Sequence, residues 1–193
     1  MESISKNSSN SFQCIDALEV SLSIEKQGFI FYDKAAKSAT DPRVRDVFLY
    51  LANEEKEHIQ SLQNKTRFLQ PALASKATSR KSRTESFIKN EILGKVFPIP
   101  GDDKSEVHIA HSDFEALGIG FEGAMWSIEV LSQLITREEK MDVRMIFNHL
   151  LVEEKKHLSA LEEIKKELSQ GGEHRIINKA VGKIVFFLLV ING

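Results

Sequence analysis

Two stretches of this sequence decide its fold: LANEEKEHIQSL at residues 51–62 and LLVEEKKHLSAL at residues 150–161. Each places two adjacent glutamates and a histidine inside a leucine-rich pattern with the α-helical period of about 3.6 residues. The second glutamate of each pair recurs 99 residues later (154 − 55), and the histidine recurs at the same interval (157 − 58). The chain therefore contains an internal repeat, and each copy carries a Glu-x-x-His motif.

The spacing within each copy indicates which charges face a helical core. Residues at alternating intervals of three and four lie on one face of a helix. On the second predicted helix this stripe contains Val44, Phe48, Leu51, Glu55, His58 and Leu62. On the fourth predicted helix it contains Val143, Phe147, Leu150, Glu154, His157 and Leu161. The glutamate and histidine of each motif therefore interrupt an otherwise apolar, inward-facing stripe.

The other two predicted helices also carry glutamates near their apolar faces. In the first, Glu25 lies in the middle of a stripe that includes Leu18, Leu22, Phe29, Tyr32 and Ala36. In the third, the predicted apolar face is Phe114, Leu117, Phe121, Met125 and Ile128, with Glu115, Glu122 and Glu129 along its margin. Glu122 precedes Glu154 by 32 residues and Glu25 precedes Glu55 by 30, so we predict that Glu122 is the counterpart of Glu25. Glu129 is a further candidate carboxylate.

Four carboxylates aimed into one core need a positive partner. An unpaired buried charge costs several kcal/mol, and like charges at one site force protonation. Two divalent cations balance four carboxylates, and neutral imidazoles complete the coordination without adding charge. One glutamate from each of two helices and a Glu-x-x-His motif from each of the other two is the di-iron or di-manganese arrangement of four-helix bundles. The sequence predicts such a site.

The distribution of proline and glycine predicts an all-α fold of two helical hairpins. We expect helices over residues 11–38, 42–69, 112–136 and 141–169, with Asp41 capping the second and Pro42 at its first position. A connection at about residues 70–111 joins the hairpins, with room for a short helix. We expect residues 1–11 to be a disordered tail, residues 12–170 a four-helix bundle, and residues 171–193 an extension that packs on the body or a partner.

Composition excludes several classes of function. The chain has 26 basic and 28 acidic residues and a formal net charge of −2, which gives no electrostatic basis for binding nucleic acid. Its one cysteine, Cys14, allows no internal disulfide and favours a cytoplasmic location. The apolar segment at residues 184–191 is too short to span a membrane, which takes about 20 residues.

The sequence resembles the rubrerythrin branch of the ferritin-like superfamily over about residues 13–168. The resemblance is carried by SIEKQGFIFYDKAAKSATDPRVRDVFLYLANEEKEH in the first half, and by FEGAMWSIE and VRMIFNHLLVEEKKH in the second. It implies a di-iron centre, with manganese or zinc as alternatives. The implied ligands are Glu25, Glu55, His58, Glu122, Glu154 and His157. Tyr32 is implied to lie close to the metals, either as a hydrogen-bond donor or as a packed core residue.

The resemblance also implies a function. It predicts an oxidoreductase that reduces hydrogen peroxide or dioxygen, or oxidises ferrous iron, often as a homodimer. Full-length rubrerythrins carry a rubredoxin-like module with four cysteines, whereas this chain has only Cys14, so we expect electrons from a separate donor such as a rubredoxin-like protein. An iron storage or handling protein and a non-catalytic metal-binding bundle are the alternatives.

Overall fold

The chain folds as a helical bundle in a computed structural model that describes residues 12–69, 77–97 and 110–169. Its helices are α1 (Cys14–Ser38), α2 (Pro42–Leu69), α3 (Ala77–Phe87), α4 (Asp113–Arg137) and α5 (Met141–Ser169), with a π-helical turn at Ile88–Ile92. The described residues contain no strand. The predicted all-α, ferritin-like bundle of two hairpins is confirmed. The predictions for residues 1–11, 171–193 and the segment 184–191 lie outside the described residues.

Local sequence explains where the helices start. The Asp41 carboxylate accepts a hydrogen bond from the Arg43 N–H at 2.8 Å, and Pro42 occupies the first helical position, as predicted. At α4, the Ser112 hydroxyl accepts the Glu115 N–H at 3.2 Å. In both cases a side-chain oxygen satisfies a backbone donor that the first helical turn leaves without a partner.

The internal repeat extends over whole hairpins. Helices α1 and α4 are each 25 residues long, and both their first and last residues differ by 99 (113 − 14 and 137 − 38). The starts of α2 and α5 differ by the same 99 residues (141 − 42). A residue of the first hairpin therefore has its structural counterpart 99 positions later. This holds for α1 and α4 as well as for the motif-bearing helices α2 and α5.

Polar contacts at the two ends of the bundle fix how the hairpins are arranged. The Asp113 carboxylate at the start of α4 accepts hydrogen bonds from the N–H groups of Thr40 and Asp41, in the α1–α2 turn. At the other end, the Glu138 carboxylate in the α4–α5 turn accepts the Phe12 N–H at 2.9 Å. The second hairpin thus starts at the end of the bundle where α2 begins. The crossover between the hairpins must run the length of the bundle.

The crossover contributes Phe97 to the core beside two aromatic residues of α1. Phe97 stacks on Phe31 with ring centroids 4.9 Å apart and meets Tyr32 edge-on at 5.3 Å. The Phe97 ring occupies the space that a Cβ atom at Gly123 would need. A glycine on α4 is therefore required for the crossover to close over this part of the bundle.

The predicted apolar face of α4 is correct for Leu117, which is fully buried, but wrong for Phe114 and Met125. Phe114 and Met125 are 55% and 40% exposed, and Phe114 and Phe121 lie beneath the Lys165 ammonium group, 5.3 and 5.5 Å from it. The buried face consists mainly of small residues: Ala116, Leu117, Gly120, Gly123, Ala124, Ser127, Val130, Leu131 and Leu134. A Cβ atom at Gly120 would lie 3.3 Å from the Phe31 ring, so small residues let α4 approach α1 closely. Phe114 and Met125, both large apolar residues, are consequently on the outer side of α4.

Within the described residues, no helix is both long enough and apolar enough to cross a membrane.

Candidate metal centre

Five of the predicted site residues meet in the interior of the bundle. Glu25 comes from α1, Glu55 and His58 from α2, and Glu154 and His157 from α5. Glu25, Glu55 and Glu154 are each 1% exposed, and His157 is 2% exposed. The His58 side chain is 20% exposed, which makes it the member of the cluster nearest to solvent. Three carboxyl groups and two imidazoles therefore share one nearly solvent-free site.

The ligand-type atoms of this cluster form two overlapping groups. One contains Glu25, Glu55 and His58, and the other contains Glu55, Glu154 and His157, with the atoms of each group within 4.8 Å of one another. His58 Nδ1 lies 3.4 Å from a Glu25 oxygen, and His157 Nδ1 lies 3.4 Å from a Glu55 oxygen. The two imidazole rings are stacked with centroids 6.0 Å apart. Glu55 belongs to both groups, so its carboxylate would be shared by ions held in the two groups.

Most atoms of the cluster lack a hydrogen-bond partner of good geometry. Among the described residues, the buried side-chain atoms without such a partner include both Glu25 oxygens, one oxygen each of Glu55 and Glu154, His58 Nδ1, and both ring nitrogens of His157. Buried polar atoms are nearly always hydrogen-bonded in native proteins because an unmet donor or acceptor costs about 1–3 kcal/mol. Such a concentration of unmet atoms points to a bound species that satisfies them.

Burial and mutual repulsion perturb the ionisation of the carboxyl groups. Burial and the negative charge of Glu25 raise the pKa of Glu55 well above its ordinary value. Burial also raises the pKa of Glu154, although His157 and the nearby Ser127 hydroxyl oppose this. Burial alone would raise the pKa of Glu25, but Glu55 and His58 outweigh it and lower that pKa. Without a cation, therefore, the cluster must retain protons to remain buried.

The two imidazoles respond to the same charges. Burial would lower their pKa values, but Glu25 outweighs this at His58 and Glu154 does so at His157, so both pKa values are raised. Cations can replace these protons, since carboxylate and neutral imidazole are metal ligands. Oxygen and imidazole donors together suit iron, manganese or zinc. The residues present therefore fit a pair of divalent ions.

Two residues that the motifs do not include shape this site. Gly28, one helical turn after Glu25, lies against Glu55, because a Cβ atom there would be 2.5 Å from Glu55 Oε1. Tyr32 is fully buried, and its ring lies 6.3 Å from that of His157. Burial, followed by the charges of the three site glutamates, raises the pKa of Tyr32 well above its ordinary value. Its hydroxyl therefore stays protonated beside the site.

A comparison with known proteins agrees with this geometry. A protein-family model described as Rubrerythrin matches residues 16–165, more than half of the chain. The chain belongs to the rubrerythrin family. Searches of curated proteins and of solved structures found no match.

Proteins of the rubrerythrin family typically bind a pair of iron ions in a carboxylate-rich site. A metal pair of this kind would account for the three buried glutamates, the buried His157 and the partly buried His58, which would be costly in a core without cations. The resemblance to this family that the sequence indicated is confirmed.

The structure does not bring Glu122 to the rubrerythrin-type site. Glu122 is exposed on α4, as are Glu115 and Glu129. Glu129 instead accepts a hydrogen bond from the Gln133 amide on the helix surface. The prediction that α4 supplies a glutamate to the cluster is therefore corrected. It followed from the wrong choice of buried face, which large apolar residues on the outer side of α4 suggested.

The repeat itself carried the signal that sequence reasoning missed. Applied to α1 and α4, the 99-residue offset assigns Glu25 to Ala124 and Gly28 to Ser127. Ala124 and Ser127 are both fully buried. Ser127 lies close enough to Glu154 to influence its pKa, just as Gly28 lies against Glu55. The described part of this rubrerythrin-family chain thus has three site carboxylates from α1, α2 and α5.

An outer group borders the buried cluster. Glu54, His58 and Glu153 place ligand-type atoms within 4.8 Å of one another, and all three are partly buried. His58 presents Nδ1 to Glu25 and Nε2 to Glu153, at 3.4 and 3.9 Å. Glu153 also accepts a hydrogen bond from the Lys156 ammonium group at 2.9 Å. Glu54 and Glu153 therefore add negative charge on the side of the site that faces solvent.

Proposed function

We propose that this protein is a di-iron oxidoreductase of rubrerythrin type that reduces hydrogen peroxide or dioxygen, or oxidises ferrous iron. The observation that supports this most directly is the buried cluster of Glu25, Glu55, His58, Glu154 and His157, whose polar atoms lack partners within the protein. Zinc alone would also satisfy these atoms, so iron is part of the proposal. The choice of iron rests on membership of the rubrerythrin family and on the oxygen-rich set of donor atoms.

The side chains have distinct parts in the proposed activity. Glu25 and His58 would hold one ion, Glu154 and His157 the other, and Glu55 would bridge them. When bound, a pair of ferrous ions supplies the two electrons that reduce hydrogen peroxide to water. The cluster excludes solvent because its carboxylates are almost fully buried, so charge interactions inside it are stronger than in water.

Tyr32 is proposed as a hydrogen-bond donor in this reaction. Its hydroxyl lacks a hydrogen-bond partner of good geometry, and its pKa is raised by burial, so it holds its proton at neutral pH. A buried O–H donor beside the carboxylates can orient an oxygen atom of the substrate or of a ligand carboxylate. This proposal selects the donor role over simple packing for Tyr32.

The electrons are proposed to come from a separate protein. A rubredoxin-like module binds iron through four cysteines, and this sequence contains only Cys14. Burial raises the pKa of Cys14 to about 11, so its thiol stays protonated at neutral pH and is a poor redox group. We propose a rubredoxin-like donor and a homodimeric assembly.

The test is anaerobic loading of the full-length protein with ferrous ion, followed by hydrogen peroxide or oxygen. We expect about two iron ions per chain and about one peroxide consumed for every two ferrous ions oxidised. Glu55→Gln and His157→Ala should each lower iron affinity by about tenfold or more. Their controls are Glu57→Gln and His149→Ala, which change exposed residues on the same two helices and should behave as the parent.

Each other outcome identifies an alternative. Tightly held zinc with no oxidation of added iron would replace the proposal with a non-catalytic metal-binding bundle. Iron taken up far beyond two ions per chain by a large hollow assembly would indicate storage, and a dimer by light scattering would argue against it. A chain that takes up no metal would overturn the proposal.

A further inference from the structure

The two halves of the metal centre differ in a way that the repeat makes visible. In the first half, α1 places Glu25, Gly28 and Tyr32 along the face that meets the site. The 99-residue offset puts Ala124, Ser127 and Leu131 at the corresponding positions of α4, and all three are fully buried. A carboxylate and a phenol in one half are therefore replaced by a methyl group and an isobutyl group in the other.

The contacts show that this correspondence is spatial as well as sequential. Gly28 lies against Glu55, and its counterpart Ser127 lies beside Glu154, the counterpart of Glu55. Ala124 precedes Ser127 by one helical turn, as Glu25 precedes Gly28, so Ala124 shares the inward face of α4. The Ala124 methyl group therefore stands where a fourth carboxylate would approach the half of the site formed by Glu154 and His157.

The charge of the site is unbalanced as a result. The cluster itself supplies three carboxylates, and two divalent ions would leave one positive charge without a partner. The neighbouring donors favour an anion. Ser127 Oγ and the Tyr32 hydroxyl are fully buried and lack partners of good hydrogen-bond geometry. The Ser127 hydroxyl lies near Glu154, and it can direct its one donor to that carboxylate or to a bound anion.

We propose that the side of the metal centre lined by Ala124 and Ser127 binds a small exogenous anion in place of a fourth protein carboxylate. This inference rests on the metal centre of the proposed function. The ligand is a monoanion with an oxygen or nitrogen donor atom and no bulk beyond a few non-hydrogen atoms, since it must fit where a glutamate side chain would otherwise lie. The Ser127 hydroxyl donates a hydrogen bond to it.

The first test is a titration of the Co²⁺-loaded, full-length protein with azide, followed by the visible absorption of the bound cobalt. We expect a saturable change in the parent. Ala124→Glu supplies the missing carboxylate, so it should weaken azide binding by roughly tenfold or more while two cobalt ions remain bound. Met125→Glu adds the same charge at the adjacent exposed position of α4, and it should bind azide as the parent does.

A second variant tests the hydrogen-bond donor. Ser127→Ala leaves the position open but removes the hydroxyl, and we expect azide affinity to fall by about three- to tenfold. Helical circular dichroism shows whether each variant is folded. If Ala124→Glu does not fold, the shorter Ala124→Asp carries the same charge to the same face and takes its place.

The outcomes separate this inference from the proposed function. Two bound cobalt ions with no response to azide in the parent, or equal azide affinity in the parent and in folded Ala124→Glu, would overturn the anion site alone. A chain that binds no cobalt would overturn both the anion site and the metal centre.

Discussion

At the scale of single residues, the site opposes folding unless a cation is bound. Glu55 illustrates this most clearly, because it is 1% exposed and lies between the other two site glutamates. Without a cation it must keep a proton that it would lose in the unfolded chain. Gly28 leaves room for the Glu55 carboxyl group, since any larger residue at position 28 would collide with it. The residues of the proposed metal centre thus lower the stability of the metal-free fold.

This cost predicts that Glu55→Gln has opposite effects with and without metal. The folded-state pKa of Glu55 is raised above 4.5, so the stability of the metal-free parent falls as pH rises from that value towards the raised pKa. Each unit of raised pKa costs about 1.4 kcal/mol. In chelator, Glu55→Gln should therefore be more stable than the parent, and by more at about pH 8 than at about pH 5.

Urea unfolding at both pH values measures this effect, with Glu57→Gln as the exposed control. In the presence of divalent metal the order should reverse, because only the parent gains stability from binding. A Glu55→Gln variant that is less stable than the parent in chelator at the higher pH would contradict this account of the site.

At the scale of elements, a polar side chain at the start of α4 binds the turn between α1 and α2. This residue is Asp113, which lies in the first turn of α4 and accepts hydrogen bonds from Thr40 and Asp41 in the α1–α2 turn. Burial alone would raise the pKa of Asp113, but these hydrogen bonds outweigh it and hold that pKa below its ordinary value. One side chain therefore joins the two hairpins at this end of the bundle.

Asp113→Asn should weaken this junction. An amide oxygen accepts weaker hydrogen bonds than a carboxylate, so we expect the free energy of unfolding to fall by about 0.5–1.5 kcal/mol at neutral pH. Because the folded-state pKa of Asp113 is lowered below 3.8, the contribution is present above that value and is lost as pH falls through the folded-state pKa.

Urea unfolding at about pH 6 and about pH 3 checks this, since the difference between parent and Asp113→Asn should shrink at the lower pH. Asp46→Asn changes an exposed aspartate on α2 and serves as the control. A difference that stays constant over this range would show that the charge of Asp113 does not stabilise the junction.

At the scale of the whole molecule, the proposed metal centre joins the two hairpins. Glu25, Glu55 and His58 come from the first hairpin, and Glu154 and His157 come from the second. Ions bound among them would connect elements that lie about half the chain apart in sequence. Binding would also release the protons that the metal-free cluster holds, because carboxylates and imidazoles bind metal in their deprotonated forms.

Removing the metal should therefore lower the stability of the entire bundle. At a free Co²⁺ concentration of about 100 times Kd, binding contributes about 2.7 kcal/mol, so a chelator should lower Tm by several degrees. Differential scanning calorimetry with and without chelator measures the change. The chelator effect should disappear in His157→Ala and persist in His149→Ala, whose histidine is exposed on the same helix. An identical Tm for the metal-loaded and chelated parent would contradict the prediction.

The sequence by itself determined the helical hairpins, their turns and the repeat. Periodicity, the Asp41–Pro42 capping pattern and two identical motif spacings depend on residues close together in the chain, so local physical chemistry sets them. The same local logic indicated that Glu25, Glu55, His58, Glu154 and His157 face inward, and the structure brings these five together.

Only the tertiary structure decided which face of α4 enters the core. The hydrophobicity of Phe114, Phe121 and Met125 favoured the wrong face, because local pattern does not show how closely two helices approach. Gly120 and Gly123 are buried because the Phe31 and Phe97 rings fill the space beside them. That close packing buries Ala124 and Ser127 and leaves Glu122 exposed, so the cluster has three carboxylates among the described residues.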